Sequence, residues 1–174
     1  MKRFVHLYYG DGKGKTTAAM GLALRAAAHG ESIVIVQFLK SGSSGEIDML
    51  RGVSGVTVFR GKAGNHFASH MTNEEKAATK AMHDRHLRQA LHLAYAGYCG
   101  MLILDEITAA CAYGLIDEAL VQKTVIQPPE NTELVLTGRD APEWMRSRAD
   151  YCTRLVKEKH PFDLHVPARA GIEY

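Results

Sequence analysis

The run Gly10-Asp11-Gly12-Lys13-Gly14-Lys15-Thr16-Thr17 constrains this chain more than any other feature. It follows an apolar β-like stretch, Phe4–Tyr9, and precedes an alanine-rich, helix-like stretch from Ala18 to His29. A glycine-rich turn between strand and helix lets successive backbone N–H groups point at one anion. Lys15 adds a positive charge there, and the Thr16 hydroxyl can join a magnesium ion. A generic glycine-rich turn would not account for lysines on both sides of Gly14 and two threonines next to them. The pattern therefore favours a nucleotide phosphate. The usual spacing wants a glycine at position 9, where Tyr9 stands, so the loop is one residue short.

Strand-like and helix-like stretches alternate along the rest of the chain. Ser32–Phe38, rich in β-branched residues, and Met101–Leu104 read as strands buried on both faces. Val56–Phe59, Glu133–Thr137 and Tyr151–Val156 read as further strands. Helices are expected over Thr16–His29, Glu46–Arg51, Ile107–Tyr113, Ile116–Val125 and Ala141–Arg148, with a loop over Ser41–Gly45. Thr72-Asn73-Glu74-Glu75 is a capping box that opens a long amphipathic helix ending near Gly97. This alternation predicts one α/β domain over residues 1–174, with a mostly parallel sheet flanked by helices. Ligands of such sheets collect at the carboxyl ends of the strands. The glycine-rich loop, Lys40, Asp105-Glu106 and Thr137-Gly138-Arg139 all fall at such ends.

An apolar strand ending in acids is the usual second half of a phosphate-loop site, one carboxylate holding magnesium directly or through water. The same two acids could simply end the strand and cap the helix that starts at Ile107. Arg139 can reach a phosphate across Gly138, although a surface turn explains that tripeptide equally well. The C-terminal stretch from Lys157 is dense in charge and reads as a solvated tail. Against that, Pro161-Phe162 and Ile172-Glu173-Tyr174 look like ordered, packed chain. The chain has nine histidines. His66 and His70 precede the capping box, and His83 and His86 lie on what reads as the polar part of a helix. With no cysteine nearby, neither pair favours a zinc or haem site. No nucleophile elbow and no Cys/His nucleophile pattern stands out.

A net charge of +2 argues for neither nucleic acid nor a membrane surface. No stretch approaches the ~20 apolar residues of a membrane span. The three cysteines form no C-x-x-C pair and leave one over from any disulfide, which fits a reduced, cytoplasmic setting.

With these motifs in view, the chain resembles the P-loop, RecA-like ATP:corrinoid adenosyltransferases nearly end to end. The resemblance rests on residues 10–19, Val36-Gln37-Phe38-Leu39-Lys40, Gly45-Glu46, Leu104-Asp105-Glu106, Leu136-Thr137-Gly138-Arg139, residues 159–163 and residues 168–174. It implies transfer of the 5′-deoxyadenosyl group of ATP to the Co(I) centre of a reduced corrinoid, with release of triphosphate. By the same resemblance Thr16 and Glu106 stand on the magnesium side, with Mn2+ as an alternative ion, and Lys13 and Lys15 are phosphate lysines. Asp11 lies near the nucleotide, which would be held with its triphosphate reversed relative to ordinary NTPases. The nucleotide set is then Gly10, Asp11, Gly12, Lys13, Gly14, Lys15, Thr16, Thr17 and Arg139. Phe67 and Ser69 match the family's Phe-x-Trp, whose aromatics press on the lower corrinoid face and displace the axial ligand; here the phenylalanine is present and the tryptophan is not. Many members also carry an N-terminal extension over the corrinoid, whereas here the first strand begins at about Arg3. An electron-donating reductase and a homodimer are further implications of the resemblance. The rival readings are a phosphoryl-transfer ATPase or kinase on the same loop, and a nucleotide-gated module that carries a corrinoid without turnover.

Overall fold

A computed structural model describes residues 2–40, 42 and 45–173. The expected 41–45 loop therefore lies largely outside the described residues, as does Tyr174. The strands are β1 Val5–Tyr9, β2 Ile33–Phe38, β3 Val56–Gly61, β4 Met101–Asp105, β5 Glu133–Gly138 and β6 Tyr151–Arg154. The helices are α1 Lys15–Ala28, α2 Gly45–Arg51, α3 Asn73–Tyr95, α4 Ile107–Ala112, α5 Glu118–Ile126 and α6 Glu143–Arg148, with short 3-10 turns at Ala68–His70 and Pro161–Leu164. Element ends move by a residue or two from the expected ones; the order is as read.

The strands form one sheet in the order β3-β2-β4-β5-β1-β6, and every pairing is parallel. Because side chains alternate along a strand, each inner strand supplies both faces of the sheet. Ile33, Ile35, Met101, Ile103 and Val135 pack with Ala19, Met20 and Ala23 of α1 and Ile47 and Leu50 of α2. Val34, Val36, Phe38, Leu102, Leu104, Leu134 and Leu136 pack on the other face with Leu87 and Leu91 of α3, Val121 of α5 and Met145 of α6. The continuous apolar runs of β2 and β4 are thus explained by burial on both sides. Strand β6 closes the sheet with all four residues exposed, and it stops at Arg154 rather than Val156.

The capping box forms as read: Thr72 Oγ1 accepts from the Glu75 N–H, and the Glu75 carboxylate accepts from the Thr72 N–H. Two expectations change. His83 is not on a polar face but completely buried, in the stripe Thr79, His83, Leu87 at i, i+4 spacing. Its ring nitrogens are met by backbone groups of Leu39, Gly61 at the end of β3, and Leu115, which is what allows a histidine inside the core. The C-terminal stretch is held by polar contacts rather than packed. Phe162 and Ile172 are exposed, while the Glu173 carboxylate accepts from Lys13 and Arg169.

The short loop after β1 is pinned by the chain leaving β5 and β6. The Gly10 N–H donates to the Arg139 carbonyl and the Gly12 N–H to the Leu155 carbonyl, both at 2.9 Å. A Cβ on Gly10 would stand 2.2 Å from the Leu155 oxygen, and Gly10 has φ +114°. Gly10→Ala is therefore expected to destabilise the protein by about 1–3 kcal/mol more than Gly30→Ala, the cost of forced overpacking. Gly30 also has positive φ, but a Cβ there meets nothing within 4 Å. Urea denaturation of both variants measures the difference; equal losses would mean that the close approach does not matter.

Candidate active site

Asp105, the last residue of β4, is completely buried. Its Oδ1 accepts from the Thr16 hydroxyl at 2.8 Å and the Thr137 hydroxyl at 2.7 Å. Its Oδ2 accepts from the Gln37 amide at 3.0 Å and lies 3.6 Å from the Lys40 ammonium. One carboxylate thus joins the ends of β2, β4 and β5 to the first turn of α1. The sheet order makes this geometry. Strand β5 lies between the strand of the loop and the strand of the acids, so Thr137 falls between Thr16 and Asp105.

Glu106 is placed differently. It takes a left-handed conformation, φ 60° and ψ 27°, and stands at the N-cap of α4. Its N–H donates to the Thr137 hydroxyl at 2.9 Å, which anchors the turn. A left-handed non-glycine residue persists only where its surroundings hold it, a pattern common at functional sites. Burial, and then the Asp105 charge beside it, push the Glu106 carboxyl above its ordinary pKa.

A cavity of about 790 Å3 opens over the glycine-rich loop, in the usual range for ligand pockets. The loop from Asp11 to Thr17 forms one wall, and Lys40 and Glu106 reach it from the strand ends. Met20 and Leu24 of α1 and Met49 and Leu50 of α2 give it an apolar side, and His160 and Gly171–Glu173 return from the tail to its rim. The left-handed N-cap Gly14 offers α1 no side-chain cap, so the N–H groups of its first turn, beginning at Lys15, face this space without intrahelical partners. Burial lowers the Lys15 pKa, and its ammonium donates to the Gly12 carbonyl at 2.7 Å. Lys13 pairs with Glu173 at 3.1 Å. The Asp11 carboxylate accepts from the Lys157 N–H, which holds its pKa below the ordinary value.

The structure therefore brings Asp11, Gly12, Lys13, Gly14, Lys15, Thr16, Thr17 and Glu106 to one cavity. It does not bring Gly10, Arg139, Phe67 or Ser69 to its lining. The Gly10 N–H is taken by the Arg139 carbonyl, so Arg139 acts on the loop through its backbone, and its side chain is exposed. Phe67, 81% exposed, and Ser69 lie on a separate loop after β3. That loop is braced against α3. The Thr79 hydroxyl accepts from the Ala63 N–H at 3.0 Å, and His66 Nδ1 lies 2.9 Å from the Glu75 carboxylate.

Three features escaped sequence reasoning. The role of Asp105 as a hub needs the strand order. The burial of His83 could have been read from its i, i+4 place between Thr79 and Leu87. The apolar wall was signalled by Met20 and Leu24 one turn apart, with Met49 left 78% exposed on a short helix. Among the described residues no group of three or more His, Cys, Asp or Glu side chains could hold a metal ion. The Thr16 hydroxyl and the Glu106 carboxylate are the oxygen groups at this cavity that could serve a hard cation taking its other ligands from phosphates and water.

The two acids should differ in stability. Asp105→Ala leaves two hydroxyls and an amide without their acceptor and is expected to cost roughly 1–3 kcal/mol or more. Glu106 has a raised folded-state pKa, so its contribution is present below its unfolded pKa and is lost as pH rises through the folded one. Glu106→Gln should abolish that pH dependence and match or exceed wild-type stability above this window. Urea titrations at acid and neutral pH test both; a Glu106→Gln protein destabilised at neutral pH would contradict the assignment.

The family model described as ATP:corrinoid adenosyltransferase BtuR/CobO/CobP matches residues 1–174. A corrinoid adenosyltransferase of Sinorhizobium sp is 34% identical over 167 residues, covering 95% of this chain and 77% of the relative. The corrinoid adenosyltransferase of Escherichia coli K12 is 31% identical over 169 residues, covering 97% of this chain and 84% of the relative. The corrinoid adenosyltransferase CobA of Salmonella typhimurium shows the same identity and coverage. Among solved structures, EssC (ATPases 2 and 3) from Geobacillus thermodenitrificans aligns with a TM-score of 0.56 at 11% identity, covering 97% of this chain and 35% of that one; this likeness is of fold alone. A sheet that carries a shortened glycine-rich loop beside the adjacent acids Asp105 and Glu106, and a family match over the whole length, lead to one assignment: the chain belongs to the ATP:corrinoid adenosyltransferase family.

Proposed function

We propose that the cavity over residues 11–17 holds the ATP triphosphate during adenosyl transfer, and that the braced loop bearing Phe67 meets the corrinoid. The observation that supports this most is the convergence of the loop, Lys40 and Glu106 on a single cavity. The reduced cobalt of the substrate carries the attacking electron pair. It forms a bond to C5′ of ATP as the C5′–O bond breaks, and that bond's electrons leave on the triphosphate. No protein nucleophile and no proton transfer is needed. The protein's part is alignment of the reacting atoms and stabilisation of charge on the leaving group. The N–H groups at the start of α1, Lys15 and Lys40 face the space where that charge collects. Magnesium, held by Thr16 and Glu106 together with phosphate oxygens, would neutralise part of it.

Asp105 orients the Thr16 hydroxyl and keeps Lys40 near the cavity, while Glu106, turned out by its left-handed backbone, faces the cavity. An electron-donating reductase, a homodimer and a cytoplasmic setting belong to the same reading on family resemblance. No described helix is long and apolar enough to cross a membrane. The family match disfavours the ATPase and kinase reading; triphosphate as product, rather than ADP and phosphate, separates them.

Lys15→Ala should weaken ATP binding by about 1.5–3 kcal/mol and slow adenosylation, since it removes a charge-assisted contact. Titration calorimetry with ATP and anaerobic assay with reduced corrinoid measure both effects, and unchanged values in both would reject the phosphate assignment. In the same assay Glu106→Gln should raise the magnesium requirement more than Asp105→Asn does; the opposite order would exchange their roles.

The corrinoid side has its own test. Phe67 is exposed, so Phe67→Ala should leave thermal stability unchanged. It should increase the five-coordinate fraction of bound Co(II) corrinoid in the presence of ATP, and Ser69→Trp should decrease it. Electron paramagnetic resonance reports cobalt coordination directly. A wild-type complex already wholly four-coordinate would mean that another residue displaces the axial ligand.

A further inference from the structure

Lys40 reaches the cavity from a backbone turn that is costly to hold. Strand β2 ends at Phe38, and the next residue, Leu39, has φ 61°. A left-handed leucine has no local advantage and persists only if something beyond it fixes the turn. Having left the strand, the Leu39 N–H also needs an acceptor from elsewhere. It finds one on α3: it donates to His83 Nε2 at 3.3 Å. The His83 ring is completely buried and stands edge-on to Phe38, with ring centroids 5.0 Å apart.

The other contacts of the ring decide its tautomer. Nδ1 is 2.9 Å from the Leu115 carbonyl, and Nε2 is 3.1 Å from the Gly61 carbonyl. With the proton on Nδ1, the ring donates to Leu115 and accepts from Leu39. With the proton on Nε2, it donates to Gly61 alone; in either tautomer the unprotonated nitrogen faces one of the two carbonyl oxygens, so only the bond accepted from Leu39 separates them. The first arrangement makes two hydrogen bonds and the second makes one. Burial favours the neutral ring, against the pull of the two carbonyls and of Asp84.

We propose that His83 is a positioning residue for the transfer reaction: by accepting from the Leu39 N–H it holds the left-handed turn that aims Lys40 at Asp105 and the nucleotide cavity. The same helix holds the neighbouring loop, because Gly61 ends β3 beside the ring and Thr79, one turn earlier, accepts from the Ala63 N–H. One face of α3 therefore sets both the lysine of the nucleotide side and the root of the loop bearing Phe67. The inference rests on the nucleotide reading of the cavity and adds a residue that never touches it.

The test is a double-mutant cycle with steady-state adenosylation as the readout. His83→Asn keeps a donor near Nδ1 but loses the acceptor, and is expected to raise the KM for ATP about tenfold, the scale of one lost charge-assisted contact. His83→Gln, whose amide oxygen reaches the place of Nε2, should recover most of that loss. In a Lys40→Ala background His83→Asn should add less than about a twofold change, since the effect runs through Lys40. A merely structural role would lower the Tm and leave the KM for ATP of the folded enzyme unchanged, and that result, or additive effects, would overturn the inference. Lys40→Ala with a wild-type KM would also overturn it, while Lys15→Ala judges the nucleotide reading separately. If the His83 variants do not fold, the wild-type protein decides. Long-range 1H–15N spectra should show His83 protonated at Nδ1 with Nε2 free; an Nε2–H tautomer would remove the proposed bond to Leu39.

Discussion

The carboxylate of Asp105 is the contact on which the rest of the site depends. A completely buried charge is tolerated only with partners, and this one has four: Thr16 of α1, Gln37 of β2, Lys40 just beyond β2 and Thr137 of β5. Each partner is thereby fixed as well. Thr16 is turned toward the loop, Thr137 is left able to accept from the Glu106 N–H, and Gln37 and Lys40 are drawn to the same end of β2. The neighbouring acid takes another part because its backbone turns the other way. The left-handed Glu106 presents its carboxylate to the cavity, where it stays incompletely compensated and carries a raised pKa. Two adjacent acids thus divide the work, one organising the site and one facing the cavity.

The shortened loop has a structural counterpart at the far end of the chain. Gly10 and Gly12 lie against the backbone of Leu155 and Val156, too close for any Cβ. Their N–H groups are spent on Arg139 and Leu155, which leaves those at the start of α1 as the ones without intrahelical partners beside the cavity. The tail then returns across the opening through Glu173, which pairs with Lys13. Loop, edge strand and tail form one connected wall. This is an arrangement suited to a reaction in which the protein supplies placement rather than a nucleophile.

Helix α3 performs the same service on the opposite side. Its N-terminal turn carries the capping box, and Glu75 also meets His66. Thr79 and His83 on its buried face reach the backbone at the root of that loop, at Ala63 and Gly61, and at Leu39 beyond β2. The exposed Phe67 is therefore presented from a braced loop.

The sequence by itself determined the kind of fold and put the glycine-rich loop, Lys40 and Glu106 at strand ends that share one cavity. The Ile33-Val34-Ile35-Val36 run and the strand before Asp105 announce doubly buried parallel strands, because no solvent face interrupts them. The spacing of Gly14, Lys15 and Thr16 marks the turn from strand to helix in local geometry alone, and the Thr72–Glu75 box marks a helix start for the same reason. What depends on distant strands was not legible. Strand order put β5 between the loop strand and the acid strand, and with it Thr137 between Thr16 and Asp105. The inward turn of His83 needed three separate segments, at Leu39, Gly61 and Leu115, to supply its partners. The engagement of Gly10 by Arg139 needed two strand ends side by side. Local pattern records which face of an element is apolar; which elements become neighbours, and so which polar groups find one another, is settled only when the whole sheet closes.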